Sequence, residues 1–143
     1  MIRKFEQINE LGILPKRASQ ASAGYDFFIA QDITIPKKEI ETIYTYIKVK
    51  MPKDEFLALH IRSSAAIKRK LLLVNQVGII DSDYYNNEDN GGHIQIVIYN
   101  ASDEDVFLTR GERIAQGIFL KYMLVDDDEV ENKRSGGLGS SNK

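Results

Sequence analysis

The stretch Gly78-Ile79-Ile80-Asp81-Ser82-Asp83-Tyr84 joins an apolar strand pattern to a carboxylate, a turn and an aromatic residue in mid-chain. An unpaired buried carboxylate is costly, so an aspartate at the end of a buried strand needs an explanation. The ordinary interpretation is a strand that stops at an Asx-type turn, because Ser82-Asp83 is typical turn chemistry. The functional interpretation makes Asp81 a general base and Tyr84 a wall of its pocket. These residues alone favour the ordinary interpretation.

Short strand patterns surround this stretch on both sides. The clearest is residues 40–51, where Ile47, Val49 and Met51 alternate with lysines. One helical turn is expected at residues 65–70, with Ser63 or Ser64 as an ordinary N-cap. Further strands are predicted at residues 25–29, 33–35, 55–61, 71–74, 77–80, 93–100, 106–108 and 114–125. This pattern predicts an all-β fold, a jelly-roll-like β-barrel or sandwich.

The bulk composition limits the classes of function. At 143 residues the chain is expected to form one domain, and its net charge of -2 argues against a nucleic-acid partner. The absence of cysteine excludes disulfides, thiolate metal sites and thiol nucleophiles, and the two histidines show no ligand spacing. No apolar run approaches the ~20 residues of a membrane span, and the N-terminus does not resemble a signal peptide. We therefore expect no membrane partner and a cytoplasmic protein, bacterial or made there by a phage.

Four features carry candidate chemistry. Asp26 and Asp81 are carboxylates within apolar strands, although Asp26 has the ordinary interpretation of an outward-facing residue on an edge strand. Arg62-Ser63-Ser64 offers a guanidinium and hydroxyls suited to an oxyanion. Gln116 is an amide in an apolar strand, and Arg134 begins a glycine-rich tail. Together these groups suit phosphate contacts, a metal-associated carboxylate and a base, which favours hydrolysis of a nucleoside phosphate.

The sequence resembles the homotrimeric dUTPases over most of its length, because five motifs of that family occur in order. They are Ala23-Gly24-Tyr25-Asp26-Phe27, Arg62-Ser63-Ser64-Ala65, Asn75 with Gly78–Tyr84, Arg110-Gly111-Glu112-Arg113-Ile114-Ala115-Gln116, and Arg134-Ser135-Gly136-Gly137-Leu138-Gly139-Ser140-Ser141. One such motif would be weak evidence, whereas five in order are specific.

The resemblance implies Mg2+-dependent hydrolysis of dUTP to dUMP and diphosphate. Asp81 and Gln116 are then the catalytic residues, and Asp26 holds Mg2+ through water. The implied substrate-binding residues are Arg62, Ser63, Ser64, Asn75, Gly78, Ile79, Ile80, Asp81, Tyr84, Gln116, Arg134 and Leu138.

The resemblance also implies a homotrimer of jelly rolls with its active sites at the subunit interfaces. Residues 1–125 would form the β domain. Residues 126–143 would form a mobile C-terminal arm that closes over the active site of a neighbouring subunit.

Two departures from the family pattern affect the arm. Leu138 stands where a phenylalanine commonly stacks on uracil, which predicts weaker closure without loss of activity. The arm's arginine is one residue nearer the glycines, so Arg134 or Lys133 contacts the γ-phosphate, and Arg134 is preferred because its fork suits phosphate. The loop of residues 86–92 is an elaboration with no predicted role.

Two alternatives belong to other classes. The related dCTP deaminases place a glutamate base where this chain has Val97, which cannot move a proton, so deamination is not expected. A nucleotide-sensing regulatory protein that binds a protein partner is the second, with residues 86–92 as its candidate surface. Such a role would add to catalysis, because Asp81 and Gln116 are both present.

Overall fold

The computed structural model describes residues 2–131, 134 and 136–138. The strands found there are β1 (Lys4–Gln7), β2 (Lys16–Arg17), β3 (Tyr25–Phe28), β4 (Ile33–Ile35), β5 (Ile40–Tyr44), β6 (Ile47–Lys50), β7 (Glu55–Ile61), β8 (Leu71–Leu73), β9 (Gly78–Asp81), β10 (Gln95–Asn100), β11 (Val106–Leu108) and β12 (Arg113–Lys121). Helix α1 (Ser63–Arg69) follows β7, and a 3-10 turn (Ser82–Tyr84) follows β9.

All pairings between these strands are antiparallel, as a jelly roll requires. The largest sheet has the order β2-β3-β12-β7-β9, and a second sheet has the order β5-β10-β8. Two further pairs, β1 with β6 and β4 with β11, complete the arrangement. The predicted all-β, jelly-roll-like fold is confirmed.

The core forms from the inward positions of these strands. Ile96 and Ile98 alternate with exposed or half-buried neighbours along β10, as do Ile47 and Val49 along β6. This period of two places one face of each strand in the core, and burial of the aliphatic side chains stabilises the fold. No helix within the described residues is long and apolar enough to cross a membrane.

The strand predicted at residues 40–51 is interrupted, so that prediction was wrong in part. Thr45 and Tyr46 separate β5 from β6, and Tyr46 has a positive φ of 56°. The hydroxyl of Thr45 donates to the carbonyl of Ile94 at 2.6 Å, and the N–H of Tyr46 donates to Nε2 of His93 at 2.9 Å. These contacts satisfy the polar groups that the interrupted ladder leaves unpaired.

Candidate active site

Strand β7 separates Asp81 from Arg62 and Gln116, which lie towards its opposite ends. Its neighbour β12 places Gln116 opposite His60, whereas its other neighbour β9 places Asp81 opposite Phe56. Arg62 follows directly after β7. At about 3.3 Å per residue, the Cα atoms of Phe56 and Arg62 are roughly 20 Å apart.

A buried carboxylate lies at the centre of the first group, which contains Arg62 and Gln116. Asp26 is only 6% exposed, and its Oδ2 and Oδ1 lie 3.2 Å from Nε of Arg113 and 3.8 Å from Nε of Arg62. The β3–β12 register places Asp26 opposite Gln116. The ordinary interpretation of Asp26 as an outward-facing edge residue was therefore wrong, since β3 lies between β2 and β12.

Two residues of this group had no assigned role in the sequence prediction. Arg113 pairs with Asp26, and only its place in the fourth motif signals it. Gly24 packs against Gln116, because a Cβ on Gly24 would lie 2.4 Å from Oε1 of that amide. A side chain at position 24 would therefore displace the glutamine.

The Arg62-Ser63-Ser64 segment forms the start of α1. Arg62 is the N-cap residue and no side chain caps the helix, so the prediction of a serine N-cap was wrong. Ser63 and Ser64 are exposed, and Nη1 of Arg62 lies 3.5 Å from Oγ of Ser64. Beside them is an open cavity of about 320 Å³, whose lining includes Arg62, Ser64, Lys68, Arg69 and Arg113. This cation-rich lining suits a polyanion.

The second group lies around β9. Gly78 and Ile80 are buried, whereas Ile79 and Asp81 are exposed, so the aspartate follows the alternation of the strand. A cavity of about 200 Å³ lies beside Gly78, lined mainly by apolar groups. Its lining residues include Asn75, Gly78, Val97 and Leu138.

The aromatic ring after Asp81 is held rigidly. Tyr84 is buried, and its hydroxyl donates to the carbonyl of His93 at 2.7 Å and accepts from Nδ2 of Asn90 at 2.9 Å. Burial raises the pKa of Tyr84, so the phenol stays neutral at physiological pH.

The arm contacts the second group of its own chain. Nη2 of Arg134 lies 2.8 Å from Oδ2 of Asp81, and its Nε lies 2.8 Å from Oδ1 of Asp83. The guanidinium carbon lies 5.6 Å from the ring centre of Tyr84, within the range of a cation–π contact. Lys133, the alternative phosphate contact, lies outside the described residues.

The structure thus brings together Asp81, Tyr84 and Arg134, then Asn75, Gly78 and Leu138 around the small cavity, and separately Asp26, Arg62 and Gln116. Within one chain it does not bring Asp81 beside Gln116, as the register along β7 shows. In the described part of the chain, no group of three or more His, Cys, Asp or Glu residues is arranged to hold a metal ion.

Known proteins of one family share this sequence and fold. The dUTPase family model matches residues 11–142. A curated deoxyuridine 5'-triphosphate nucleotidohydrolase of Lactococcus lactis is 42% identical over 146 residues, covering 98% of this chain and 97% of the relative. The solved dUTPase of Streptococcus mutans is also 42% identical, with a TM-score of 0.81, covering 85% of this chain and 98% of that one. The chain belongs to the dUTPase family.

A more distant structure supports the fold alone. A mutant dUTPase from phage phi11 of S. aureus is 20% identical, with a TM-score of 0.78, over 92% of this chain and 98% of that one. That phage protein is described as coordinating a structural Mg(II) ion.

Proposed function

We propose that this protein hydrolyses dUTP to dUMP and diphosphate, which keeps uracil out of DNA and supplies dUMP for dTMP synthesis. One observation supports this beyond family membership. The two neighbours of β7 carry complementary chemistry, with Asp81, Tyr84 and a small apolar cavity around β9, and Arg113 and Gln116 on β12 beside Arg62. The β9 side suits a nucleoside and the β12 side suits a triphosphate.

The complete active site forms between subunits of a homotrimer. The sugar and the α-phosphorus of one nucleotide are adjacent. Phe56, which pairs with Asp81, lies roughly 20 Å from Arg62 along β7. Asp81 of one subunit therefore acts with Arg62 and Gln116 of another. The arm, residues 126–143, closes over the active site of a neighbouring subunit.

Asp81 is the general base of the proposed reaction. Its carboxylate orients a water molecule and takes a proton from it as the oxygen attacks the α-phosphorus and diphosphate leaves. Gln116 contacts the phosphates, while Arg62 and Arg134 neutralise the charge that develops on them. Ser63 and Ser64 offer hydroxyls to the same oxygens. Asp81 also accepts a hydrogen bond from the 3′-hydroxyl of the sugar.

The donor set on the phosphate side fits Mg2+ held mainly by the substrate. Asp26 is already paired with two guanidinium groups, so its carboxylate suits a hydrogen bond from a metal-bound water better than direct coordination. Magnesium keeps several waters and binds phosphate oxygens through few protein ligands. When bound, the ion supplies charge neutralisation on the triphosphate.

Selectivity arises around β9. Main-chain groups of Asn75 and Gly78–Ile80 read the edge of uracil, and cytosine would leave them unpaired. Tyr84 packs under the deoxyribose and leaves no room for a 2′-hydroxyl. Leu138 covers the base, without the aromatic stacking that contributes about 0.5–1.5 kcal/mol. Arg134 contacts the γ-phosphate once it leaves Asp81 and Asp83.

The proposed reaction belongs in the cytoplasm of a bacterium, whether the protein is bacterial or phage-encoded. Diphosphate release should be measured with dUTP, dTTP, dCTP and UTP in parallel, each with Mg2+. We expect appreciable turnover of dUTP only, and no ammonia from dCTP because Val97 cannot serve as a base. Failure to hydrolyse dUTP would overturn the proposal.

A further inference from the structure

The loop of residues 86–92, which we call the docking loop, lies between the 3-10 turn and β10. Asn87 is 7% exposed and organises it from within. Its Oδ1 accepts from the N–H groups of Asp89 and Asn90 at 3.0 Å each, and its Nδ2 donates to the carbonyl of Tyr84 at 2.8 Å. A buried amide with these partners holds the loop in one conformation.

Asn90 extends this network in two directions. Its Oδ1 accepts from Nδ2 of Asn87 at 2.8 Å and from the N–H of Gly92 at 3.0 Å. Its Nδ2 donates to the hydroxyl of Tyr84 at 2.9 Å. The loop is therefore joined to the ring that forms the sugar side of the proposed pocket.

The arm rests on this loop at Gly137. The N–H of Gly137 donates to Oδ2 of Asp89 at 3.3 Å, and Gly137 is buried. A Cβ at position 137 would lie 2.7 Å from Nδ2 of Asn90 and 2.9 Å from Oδ2 of Asp89. Because Asn90 is fixed by its hydrogen bonds, it cannot give way, so the close approach requires glycine.

We propose that the docking loop is the receptor for the C-terminal arm, with Asp89 accepting from the arm backbone and Asn90 fixing the surface on which Gly137 packs. The contact itself does not depend on the proposed function, whereas its consequence for catalysis rests on that function. Asp89 and Asn90 are positioning residues that act through the arm.

The location of this contact distinguishes it from the other two arm contacts. Arg134 lies on Asp81 and Leu138 lines the small cavity, so both occupy groups that a nucleotide needs. The contact between Gly137 and Asp89 involves neither. Nucleotide binding therefore displaces the first two contacts and leaves the loop contact in place, which keeps the arm beside the site.

The same surface receives the arm in an oligomer. The described contacts lie within one chain, and identical subunits present identical docking loops. An arm that crosses from a neighbouring subunit meets the same Asp89 and Asn90. The proposal therefore holds for either source of the arm.

Hydrogen exchange of the Gly137 amide tests the contact directly in the full-length, ligand-free protein. The chain contains ten glycines, so glycine-selective 15N labelling gives few signals, and the Gly137→Ala variant identifies the one from residue 137. The Asp89→Ala variant should exchange about fivefold faster at Gly137, since it loses a charged acceptor at a half-exposed site. Asp89→Asn keeps an acceptor oxygen, so its exchange rate at Gly137 should lie between those of the wild type and Asp89→Ala.

Glu88→Ala is the matched control, because this neighbouring carboxylate is exposed and undergoes the same change of charge. Its Gly137 amide should exchange at the wild-type rate. The exchange rates of Gly78 and Gly117 should stay unchanged in all variants. Equal exchange in Asp89→Ala and Glu88→Ala would overturn the proposal.

A functional measurement separates this proposal from the proposed function. In Asp89→Ala, the KM for dUTP should rise about fivefold while Glu88→Ala keeps the wild-type value. Accelerated exchange in a protein that fails to hydrolyse dUTP would sustain the docking loop and refute the proposed function. Normal dUTP hydrolysis by the wild type, together with unchanged exchange at Gly137 in Asp89→Ala, would support the proposed function and refute the docking loop.

Discussion

The guanidinium of Arg134 lies 2.8 Å from the carboxylate of Asp81, the residue proposed as general base. The same side chain contacts Asp83 at 2.8 Å and is 11% exposed, so one largely buried guanidinium bridges both carboxylates. The Asp81 oxygen that accepts this bond is not free to hold the attacking water. In the proposed reaction, the triphosphate of the substrate supplies the negative charge that draws Arg134 away from Asp81.

Replacement of Asp81 by asparagine should abolish turnover and preserve binding. The amide keeps the shape of the side chain and can still contact the sugar, whereas it cannot accept the proton of the attacking water. We expect kcat for dUTP to fall by about 10²–10⁴-fold. Diphosphate release and binding of a non-hydrolysable dUTP analogue measure the two effects.

Asp83→Asn is the control for that experiment. It removes the other carboxylate that Arg134 contacts, two residues along the chain. If the loss in Asp81→Asn came from the broken arm contact, both variants would lose similar activity. A fall confined to Asp81→Asn supports the role of base, and persistent turnover in that variant would contradict it.

Gly24→Ala should impair catalysis through Gln116. The backbone at position 24 does not need positive φ, so the effect comes from the added methyl group, which would lie 2.4 Å from Oε1 of Gln116. Displacing the amide that is proposed to contact the phosphates should lower kcat/KM about 10- to 100-fold. Parallel kinetics of Gly24→Ala, Gln116→Ala and the double variant measure the coupling.

The double variant decides the interpretation. If the alanine at position 24 acts through Gln116, the double variant should be no worse than Gln116→Ala alone. Fully additive losses would show that Gly24 affects the site by another route.

The sequence predicted most of the strands well because strand alternation is a local pattern. Alternation along residues 93–100 is a property of neighbouring side chains, and β10 forms within that range. The break at Thr45 and Tyr46 was missed because no glycine, proline or asparagine marks it. Contacts with His93 and Ile94, distant in sequence, stabilise that break instead.

The sequence indicated which residues are candidates for the site but not how the fold arranges them. Asp26 and Gln116 are 90 positions apart in the numbering, and only the β3–β12 register places them side by side. Likewise, turn composition indicated a loop at residues 86–92 and said nothing of the hydrogen bonds from Asn90 to Tyr84. Such relationships depend on tertiary contacts, which no local pattern encodes.

Tyr84→Phe should lower stability and leave the selection against UTP unchanged. The ring stays in place, so the steric exclusion of a 2′-hydroxyl persists. The lost hydroxyl leaves the carbonyl of His93 and Nδ2 of Asn90 without that partner, at a cost of about 1–2 kcal/mol. Urea unfolding and the ratio of kcat/KM for dUTP and UTP measure the two properties.

Tyr85→Phe is the comparison for stability. Its hydroxyl donates to Oε1 of Glu6 at 2.6 Å in a half-buried position, so its loss should cost less. Efficient hydrolysis of UTP by Tyr84→Phe would show that the ring alone does not exclude ribonucleotides.

The pairing of Arg3 with Glu55 should make stability depend on acid pH. Glu55 is 3% exposed, and Nε of Arg3 donates to its Oε1 at 2.6 Å, which lowers the pKa of Glu55. The folded state therefore binds this proton less readily than the unfolded state, whose glutamate has a pKa of about 4.3. The contribution is complete above that pH and is lost as the pH falls through the lower value of the folded state.

Urea midpoints of the wild type and Arg3→Met, at one protein concentration, test this dependence at pH 7 and across the acid range. We expect the wild type to be more stable at pH 7 and its advantage to shrink once the pH falls below about 4.3. Asp103→Asn serves as the control, because the pair of Lys38 and Asp103 is exposed and should contribute little at any pH. An advantage of equal size at pH 7 and pH 3 would show that Arg3 stabilises the fold by packing and not through the charge of Glu55.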